Sequence, residues 1–374
     1  MIVAGEASGD MHGARLVSAI KRISSGSTFS GIGGDALKAE GVELLCDASK
    51  IAVVGLLEVF GHLKDILGAL RAMERRMRER PPALLILIDF PDFNLILAKK
   101  AKKLGIPVLY YISPQVWAWR SGRVKKIRRL VDEIAVILPF EKEFYRKKGV
   151  RVSFVGHPLL DFVKRGEDRN SFIATHGIRK GNTLVGILPG SRKREVSSML
   201  PLFVAAAEKL ADRHDNLTFL IPLASTLKRS NLDENGLAGC HLDVRVISEK
   251  RYDLMAACDV VMTASGTVTL ELAILNVPMV VAYRLSPVSH FIGSRLIRVK
   301  YASLVNLIAN REVAPELLQY AATTDNIFEA VSDLLGNRKK RQHMRRQLTE
   351  VCRMLGEPGA SYRTAELVLD MIGR

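Results

Sequence analysis

Asp259-Val-Val-Met-Thr-Ala-Ser-Gly-Thr-Val-Thr-Leu-Glu271 joins a short apolar run, a glycine turn and a helix start in one segment. Val260 to Ala264 is apolar and rich in β-branched residues, the pattern of a strand buried on both faces. Ser265-Gly266 lets the backbone turn sharply, and Thr267 opens a helix whose first N–H groups lack intrahelical partners. Such an end attracts a diphosphate. Glu271, about one turn further on, is placed to accept hydrogen bonds from the two hydroxyls of a ribose, as acidic residues do in dinucleotide-binding folds. The plainer alternative is an ordinary strand-turn-helix in which Glu271 only favours the helix dipole.

Outward from this segment the same grammar repeats. Short apolar runs alternate with helical-period stretches, the signature of parallel sheets with helices on both faces. Strands are predicted at Ile2–Gly5, Thr28–Ile32, Val42–Cys46, Ala83–Asp89, Val108–Ser113, Glu133–Leu138 and Arg151–Val155. A second series follows at Thr183–Pro189, Leu217–Pro222, Val244–Ile247, Asp259–Ala264 and Met279–Tyr283. A chain of 374 residues exceeds what one core usually serves. The periodicity fades between Gly156 and Asn170, so we expect domains at 1–165 and 166–345. Helices in 346–374 are expected to pack back across the cleft between two Rossmann-like domains.

Lys+Arg 55 against Asp+Glu 39 gives a formal charge of +16, which favours an anionic partner. No zinc-ligand spacing, RNP-like aromatic motif or separate basic tail supports nucleic acid. The basic residues come in four bursts, Arg71 to Arg80, Lys99 to Lys103, Arg120 to Arg129 and Lys142 to Arg151, all in the first half. Cys46, Cys240, Cys258 and Cys352 are scattered, against a disulfide framework or a metal site, and a reducing cytoplasm is expected. The first residues read as a core strand, so no secretion signal is expected. Val53 to Leu70 carries apolar residues over a wide arc, including Val59, Phe60, Leu63 and Leu67, and runs into Arg71–Arg80. That combination suits an interfacial membrane contact; a buried helix with a solvated basic tail is the alternative.

Ligands in open α/β sheets bind beyond the carboxyl ends of the strands, so the loops after strands carry the candidate chemistry. Gly5-Glu-Ala-Ser-Gly-Asp10 lacks dinucleotide spacing; Glu6 and Ser8 beside Gly9 suit hydroxyls of a sugar acceptor, with Ser8 as a helix cap the alternative. Asp89 ends a fully buried strand. Partly desolvated by Phe90 and Phe93, its carboxyl is expected to have a raised pKa and to take a proton from an attacking hydroxyl, unless it makes an Asx turn. Asp92, after Pro91, is expected to be an N-cap. Trp117 and Trp119 beside Arg120 fit either core packing or an amphipathic ligand with acyl chains and phosphate. Leu188-Pro-Gly-Ser-Arg192 turns into a helix, and Arg192 there suits phosphate oxygens and a departing diphosphate, a solvated basic turn being the alternative. His157 reads as a hinge hydrogen-bonder.

Several strings together resemble the lipid-A-disaccharide synthase family of inverting GT-B glycosyltransferases. They are Gly5–Asp10, Ile88-Asp-Phe-Pro-Asp-Phe-Asn94, Ser113-Pro-Gln-Val-Trp-Ala-Trp-Arg120, Leu138-Pro-Phe-Glu-Lys142, Phe154-Val-Gly-His157, Leu188–Arg192, Ala264-Ser-Gly-Thr267, Pro278–Arg284 and Tyr301-Ala-Ser-Leu-Val-Asn306. The resemblance spans nearly the whole chain in order. It implies transfer of diacylglucosamine from UDP-diacylglucosamine to the 6-hydroxyl of diacylglucosamine 1-phosphate, giving a β-1,6 disaccharide and UDP without cofactor or metal. It also implies a Gram-negative source, with the protein cytoplasmic and peripheral on the inner membrane. Asp89 would be the base, with Arg192 as its catalytic partner. Gly190, Ser191, Arg192, Ser265, Gly266, Thr267, Glu271 and Asn306 would bind the donor, and Glu6, Ser8, Gly9, Trp117 and Trp119 the acceptor. A homodimer stays open. Rival readings are another UDP-sugar transferase or epimerase of this fold, or a non-catalytic lipid-sensing peripheral membrane protein.

Overall fold

The computed structural model describes residues 1–50, 63–119, 121–285 and 300–373. It divides into two compact units, Met1–Asp161 with Leu355–Arg374, and Phe162–Met354. The first holds seven strands, β1 Ile2–Ala4, β2 Ser30–Gly33, β3 Glu43–Asp47, β4 Leu85–Ile88, β5 Val108–Tyr111, β6 Glu133–Val136 and β7 Val152–Phe154. They pair in parallel in the order β3-β2-β1-β4-β5-β6-β7. The second holds β8 Thr183–Leu188, β9 Leu217–Pro222, β10 Val244–Ile247, β11 Val260–Ala264, β12 Met279–Tyr283 and β13 Glu316–Leu318. Its order is β10-β9-β8-β11-β12-β13, again all parallel.

The apolar runs of the sequence are explained by burial on both sheet faces. On β4, Leu85 and Leu87 enter one apolar cluster with the helices Leu63–Glu79, Pro91–Lys103 and Val124–Leu130, while Ile86 and Ile88 enter the other with Ala7–Ile23 and Ala360–Met371. Successive side chains of a strand point to opposite faces, so a two-sided strand needs apolar residues at every position.

Three expectations change. The predicted boundary at residue 165 falls at Asp161/Phe162, and the expected break at 346 lies inside a continuous helix, Arg338–Met354. That helix buries Met344, Leu348 and Val351 in the second unit, where Met344 sulfur accepts the Met279 N–H at 3.3 Å. The chain rejoins the first unit only at Leu355, and Ala360–Met371 packs on Ala7–Ile23. A fifth basic run, Arg338 to Arg346, lies on the same helix, so the bursts are not confined to the first half. Finally, β13 was not expected from the sequence: it is three residues long, begins with Glu316, and pairs Val281 with Glu316.

The arc Val53 to Leu70 is only partly described, since 51–62, including Val59 and Phe60, and the Leu63 side chain lie outside the described residues. From Ile66 onward the helix Leu63–Glu79 turns Ala69, Leu70, Met73 and Met77 into the core, as helical spacing dictates, and leaves Leu67 42% exposed. Among the described residues no helix is long and apolar enough to cross a membrane.

The loops after β1 and β2 are tied together by Asp10. Its Oδ1 accepts the N–H groups of Gly34 at 2.7 Å and Leu37 at 3.3 Å, and Oδ2 accepts that of Ala36 at 2.9 Å. Asp10→Ala leaves three backbone donors without this acceptor and is expected to destabilise the first unit by roughly 2–4 kcal/mol. Asp10→Asn keeps one carbonyl oxygen and should lose less. Urea titration of both variants checks this; unchanged stability in Asp10→Ala would remove Asp10 as the tie.

Candidate active site

Strand order reverses direction between β1 and β4 in the first unit and between β8 and β11 in the second. Crevices at the carboxyl ends of such switch points are where ligands enter doubly wound sheets. Most of the candidate residues follow these four strands.

In the first unit, β1 runs into Gly5 and then the helix Ala7–Ile23, whose N-cap is Glu6. Glu6 makes no side-chain cap bond, and Ser8 lies inside the first turn; both are exposed. Ser8 is therefore not the cap. Gly9 lets the helix approach the sheet: a Cβ there would meet Ile88 Cγ2 at 3.4 Å and Ala4 Cβ at 3.5 Å. Gly5 is required more strictly, since a Cβ would lie 2.4 Å from Phe90 Cγ. The Phe90 ring fills that place and stacks on Phe93 at 5.3 Å.

Phe90 reaches Gly5 because the chain after β4 turns through two left-handed residues, Asp89 at φ 43° and Phe90 at φ 46°. Non-glycine residues there cost about 1–3 kcal/mol each and persist where the surroundings over-determine them. Burial pushes the Asp89 carboxyl up to about 6, the Glu6 carboxylate adds to the shift, and the Phe90 N–H opposes it. The expected raised pKa is thus accounted for by burial and a neighbouring acid. Asp92 differs from expectation. Phe90 is the N-cap and Pro91 opens the helix, so Asp92 sits in the first turn, exposed, and pairs with Arg123 at 2.5 Å.

Trp117 is engaged within the protein. Its Nε1 donates to Glu141 Oε1 at 3.0 Å, and its ring meets Phe140 edge-on at 4.9 Å. Glu141 is 1% exposed and its Oε2 accepts the Leu138 N–H at 3.1 Å. Burial pushes its carboxyl up to about 7, with the Trp117 indole opposing. Sequence reasoning missed Glu141, though a Glu three residues after the helix-entry Leu138-Pro139 is a recognisable N-terminal signal. The Trp119 side chain and Arg120 lie outside the described residues. His157 is 4% exposed and held near 3 by burial, with its N–H on Leu355 O at 2.9 Å and Nδ1 accepting from Leu159 N. It stays neutral and serves the backbone where the chain leaves the first unit.

In the second unit, Gly190 adopts φ 113°, and a Cβ there would lie 2.4 Å from Glu195 Oε2. That oxygen accepts the N–H groups of Ser191 at 3.0 Å and Arg192 at 3.3 Å, while Arg192 Nη1 reaches Oε1 at 3.2 Å. The start of the 21-residue helix Lys193–Arg213 thus binds a carboxylate of its own chain. Arg192 remains 71% exposed. Gly266 and Thr267 are exposed beyond β11, and Ser265 Oγ donates to Ala302 O at 3.1 Å.

Glu271 is 6% exposed; Arg251 Nη2 donates to its Oε1 at 2.5 Å, with Tyr252 hydroxyl at 3.5 Å. Burial raises its carboxyl, and Arg251 and then Tyr252 pull it back. Among the described residues Oε1 carries these contacts and Oε2 none, which leaves one oxygen for hydroxyl donors.

Asn306, expected among the donor-binding residues, has its side-chain amide engaged within the protein. It is 0% exposed, its Oδ1 accepts from Val313 N at 2.7 Å and Ala314 N at 3.0 Å, and its Nδ2 donates to Ala314 O and Glu316 Oε1, both at 2.8 Å. All four amide valences are used. Together with Glu316, which accepts from Ala302 N and Ser303 N, it holds the turn against which Ser265 rests.

The model of the family described as lipid-A-disaccharide synthetase matches residues 1–370. The lipid-A-disaccharide synthase of Geobacter metallireducens is 47% identical over 374 residues, covering 100% of this chain and 97% of the relative. That of Nitrosococcus oceani is 47% identical over 371 residues, covering 99% and 95%. Among solved structures, the UDP-GlcNAc 2-epimerase of Neisseria meningitidis bound to UDP-GlcNAc superposes with TM-score 0.62 at 12% identity, covering 99% of this chain and 98% of that one. The MurG of Acinetobacter baumannii gives 0.60 at 16%, covering 99% and 98%. These two likenesses establish the two-unit parallel-sheet fold; the full-length relatives establish more, and the chain belongs to the lipid-A-disaccharide synthase family.

Proposed function

We propose that this chain condenses UDP-2,3-diacylglucosamine with 2,3-diacylglucosamine 1-phosphate, giving the β-1,6-linked lipid A disaccharide 1-phosphate and UDP with inversion. The observation that carries the chemistry is the Asp89 carboxyl, raised to about 6 at a switch point beside Glu6. A base of that pKa is ionised at neutral pH yet basic enough to take the proton of an attacking 6-hydroxyl. Glu6, Ser8 and Gly9 serve the acceptor, and Trp117, with Trp119, its acyl side. Inversion needs one carboxylate, because the leaving UDP departs from the opposite face already anionic.

Arg192, with the Ser191 and Arg192 N–H groups and the loop Ser265–Thr267, supports that anion. The internal Glu195 carboxylate on these donors supports a site that takes an anion, and the diphosphate competes for them. Glu271 receives the ribose through Oε2, and Asn306 acts through the turn that it holds.

The substrates carry acyl chains, so the protein works at an anionic lipid surface, the cytoplasmic face of the inner membrane. Three neighbouring helices of the first unit, Leu63–Glu79, Pro91–Lys103 and Val124–Leu130, supply a suitable face. They expose Arg71, Arg75, Lys99, Lys103, Lys126 and Arg129 together with apolar Leu67 and Ile96.

UDP release assayed with and without the lipid acceptor tests the activity; release that ignores the acceptor would overturn it. Asp89→Asn is expected to lose turnover by roughly 10²–10⁴-fold while retaining fold and UDP binding. Asp92→Asn should cost far less, and equal losses would remove Asp89 as base. In the unmodified protein, kcat/KM should fall about tenfold per pH unit below about 6, because protonated Asp89 cannot accept a proton.

Arg192→Ala should slow turnover by about 10²–10³-fold. EDTA is expected to leave the rate unchanged, since fixed cationic and N–H donors meet the leaving diphosphate; a requirement for magnesium or manganese would displace Arg192 from that role.

Charge reversal of Lys99, Lys103, Lys126 and Arg129 to Glu should release the protein from anionic vesicles, read by co-sedimentation, without loss of UDP binding. Added salt should weaken the same association, as charges are screened over about 10 Å at 0.1 M. Binding that survives both changes would place the lipid contact elsewhere.

A further inference from the structure

Beyond β4 the chain does something its local sequence does not favour. Two consecutive residues bearing Cβ atoms, Asp89 and Phe90, adopt left-handed conformations, and Ile112, at the end of neighbouring β5, adopts φ 59°. The Asp89 N–H still reaches Ile112 O at 3.3 Å, so the two bends are joined.

Two buried side chains close on the Asp89 backbone carbonyl. Asn94 Nδ2 donates to it at 2.7 Å and to Ile88 O at 3.2 Å. The Tyr110 hydroxyl, from β5, donates to the same oxygen at 2.5 Å. Both residues are 0% exposed. The Asn94 Oδ1 atom, also buried, has no hydrogen-bond partner. An amide that leaves its acceptor unsatisfied in a core is worse than an apolar residue of the same size, unless its donor is needed where it points. Here the donor points at two carbonyls freed when the chain bends away from the ladder.

We propose that Asn94 and Tyr110 form a clamp on the Asp89 carbonyl that fixes the direction of the Asp89 side chain, making both residues positioning residues for glycosyl transfer. The inference rests on the assignment of Asp89 as the base. With the peptide between Asp89 and Phe90 held at its oxygen, the left-handed pair cannot relax, and the carboxyl keeps its place near Glu6. Neither Asn94 nor Tyr110 needs to touch a substrate.

Asn94→Leu removes both amide bonds and keeps the side-chain branching, and Tyr110→Phe removes the hydroxyl alone. Each is expected to lower kcat roughly 10–10²-fold with KM for the UDP-sugar donor unchanged. Both donors act on one oxygen, so the double variant should lose less than the product of the single losses. Glu6 is the charged group that acts on the Asp89 carboxyl, and Asp89, Tyr145 and Asp92 act on the Tyr110 hydroxyl. A carboxyl released from the clamp turns towards water, and the acid limb of kcat/KM should move to lower pH. A purely structural role would lower the melting temperature and the active fraction but leave that limb in place. Asp89→Asn, measured in parallel, separates the two ideas. If it keeps turnover, the assignment of the base fails; if it loses turnover while Tyr110→Phe keeps both kcat and the limb, the clamp fails. Should Asn94→Leu not fold, Tyr110→Phe decides the matter, since it keeps the ring that fills the core.

Discussion

A parallel sheet covered by helices on both faces favours apolar side chains along its strands, and much of the remaining structure follows from that preference. Leu85 to Ile88 alternate between two apolar clusters, and β8 and β11 are as deeply buried. Functional groups are therefore displaced to the strand ends. Of those ends, the ones at a reversal of strand order are flanked by loops that diverge to opposite faces, which opens space for a ligand. The loops carrying Glu6 and Asp89 sit at one reversal, and those carrying Arg192 and Ser265 at the other.

Three desolvated carboxyls, Glu141 and Glu271 buried and Asp89 half-buried, differ by their neighbours rather than by residue type. Asp89 has an acid for a neighbour and rises to about 6. Glu141 rises to about 7 but is occupied by the Trp117 indole and the Leu138 N–H, so it orders an aromatic and a helix start. Glu271 rises through burial yet faces Arg251, which keeps one oxygen engaged and leaves the other open. The desolvation is common to all three; the partner decides how much of each carboxyl stays unengaged.

The second unit pairs rigid turns with open donors. Asn306 and Glu316 spend their hydrogen bonds on the backbone around Ala302 and Ser303, while Gly266 and Thr267 stay exposed above it. Glu195 occupies the N–H groups of Ser191 and Arg192 and also meets the Arg192 guanidinium.

The sequence by itself determined twelve of the strands, their parallel class, the restart of the pattern in a second unit, the turns where Glu6, Asp89 and Arg192 stand and the helix start that carries Glu271. These are properties of local periodicity and of turn residues such as Gly190 and Gly266, which act over a few neighbours. Strand β13 escaped because three residues beginning with Glu316 carry no periodicity, and the domain break at 346 failed because nothing local distinguishes a helix that packs on one unit from a helix that packs on another. Only the tertiary structure decided that Asn306 is saturated, that Trp117 is bound to a buried Glu141, that Glu195 holds Arg192, and that Asn94 and Tyr110 meet on one carbonyl. Each of these depends on which partners a folded chain brings within 3 Å or so, and hydrogen bonds act only at that range. Spacing along the chain carries no record of it.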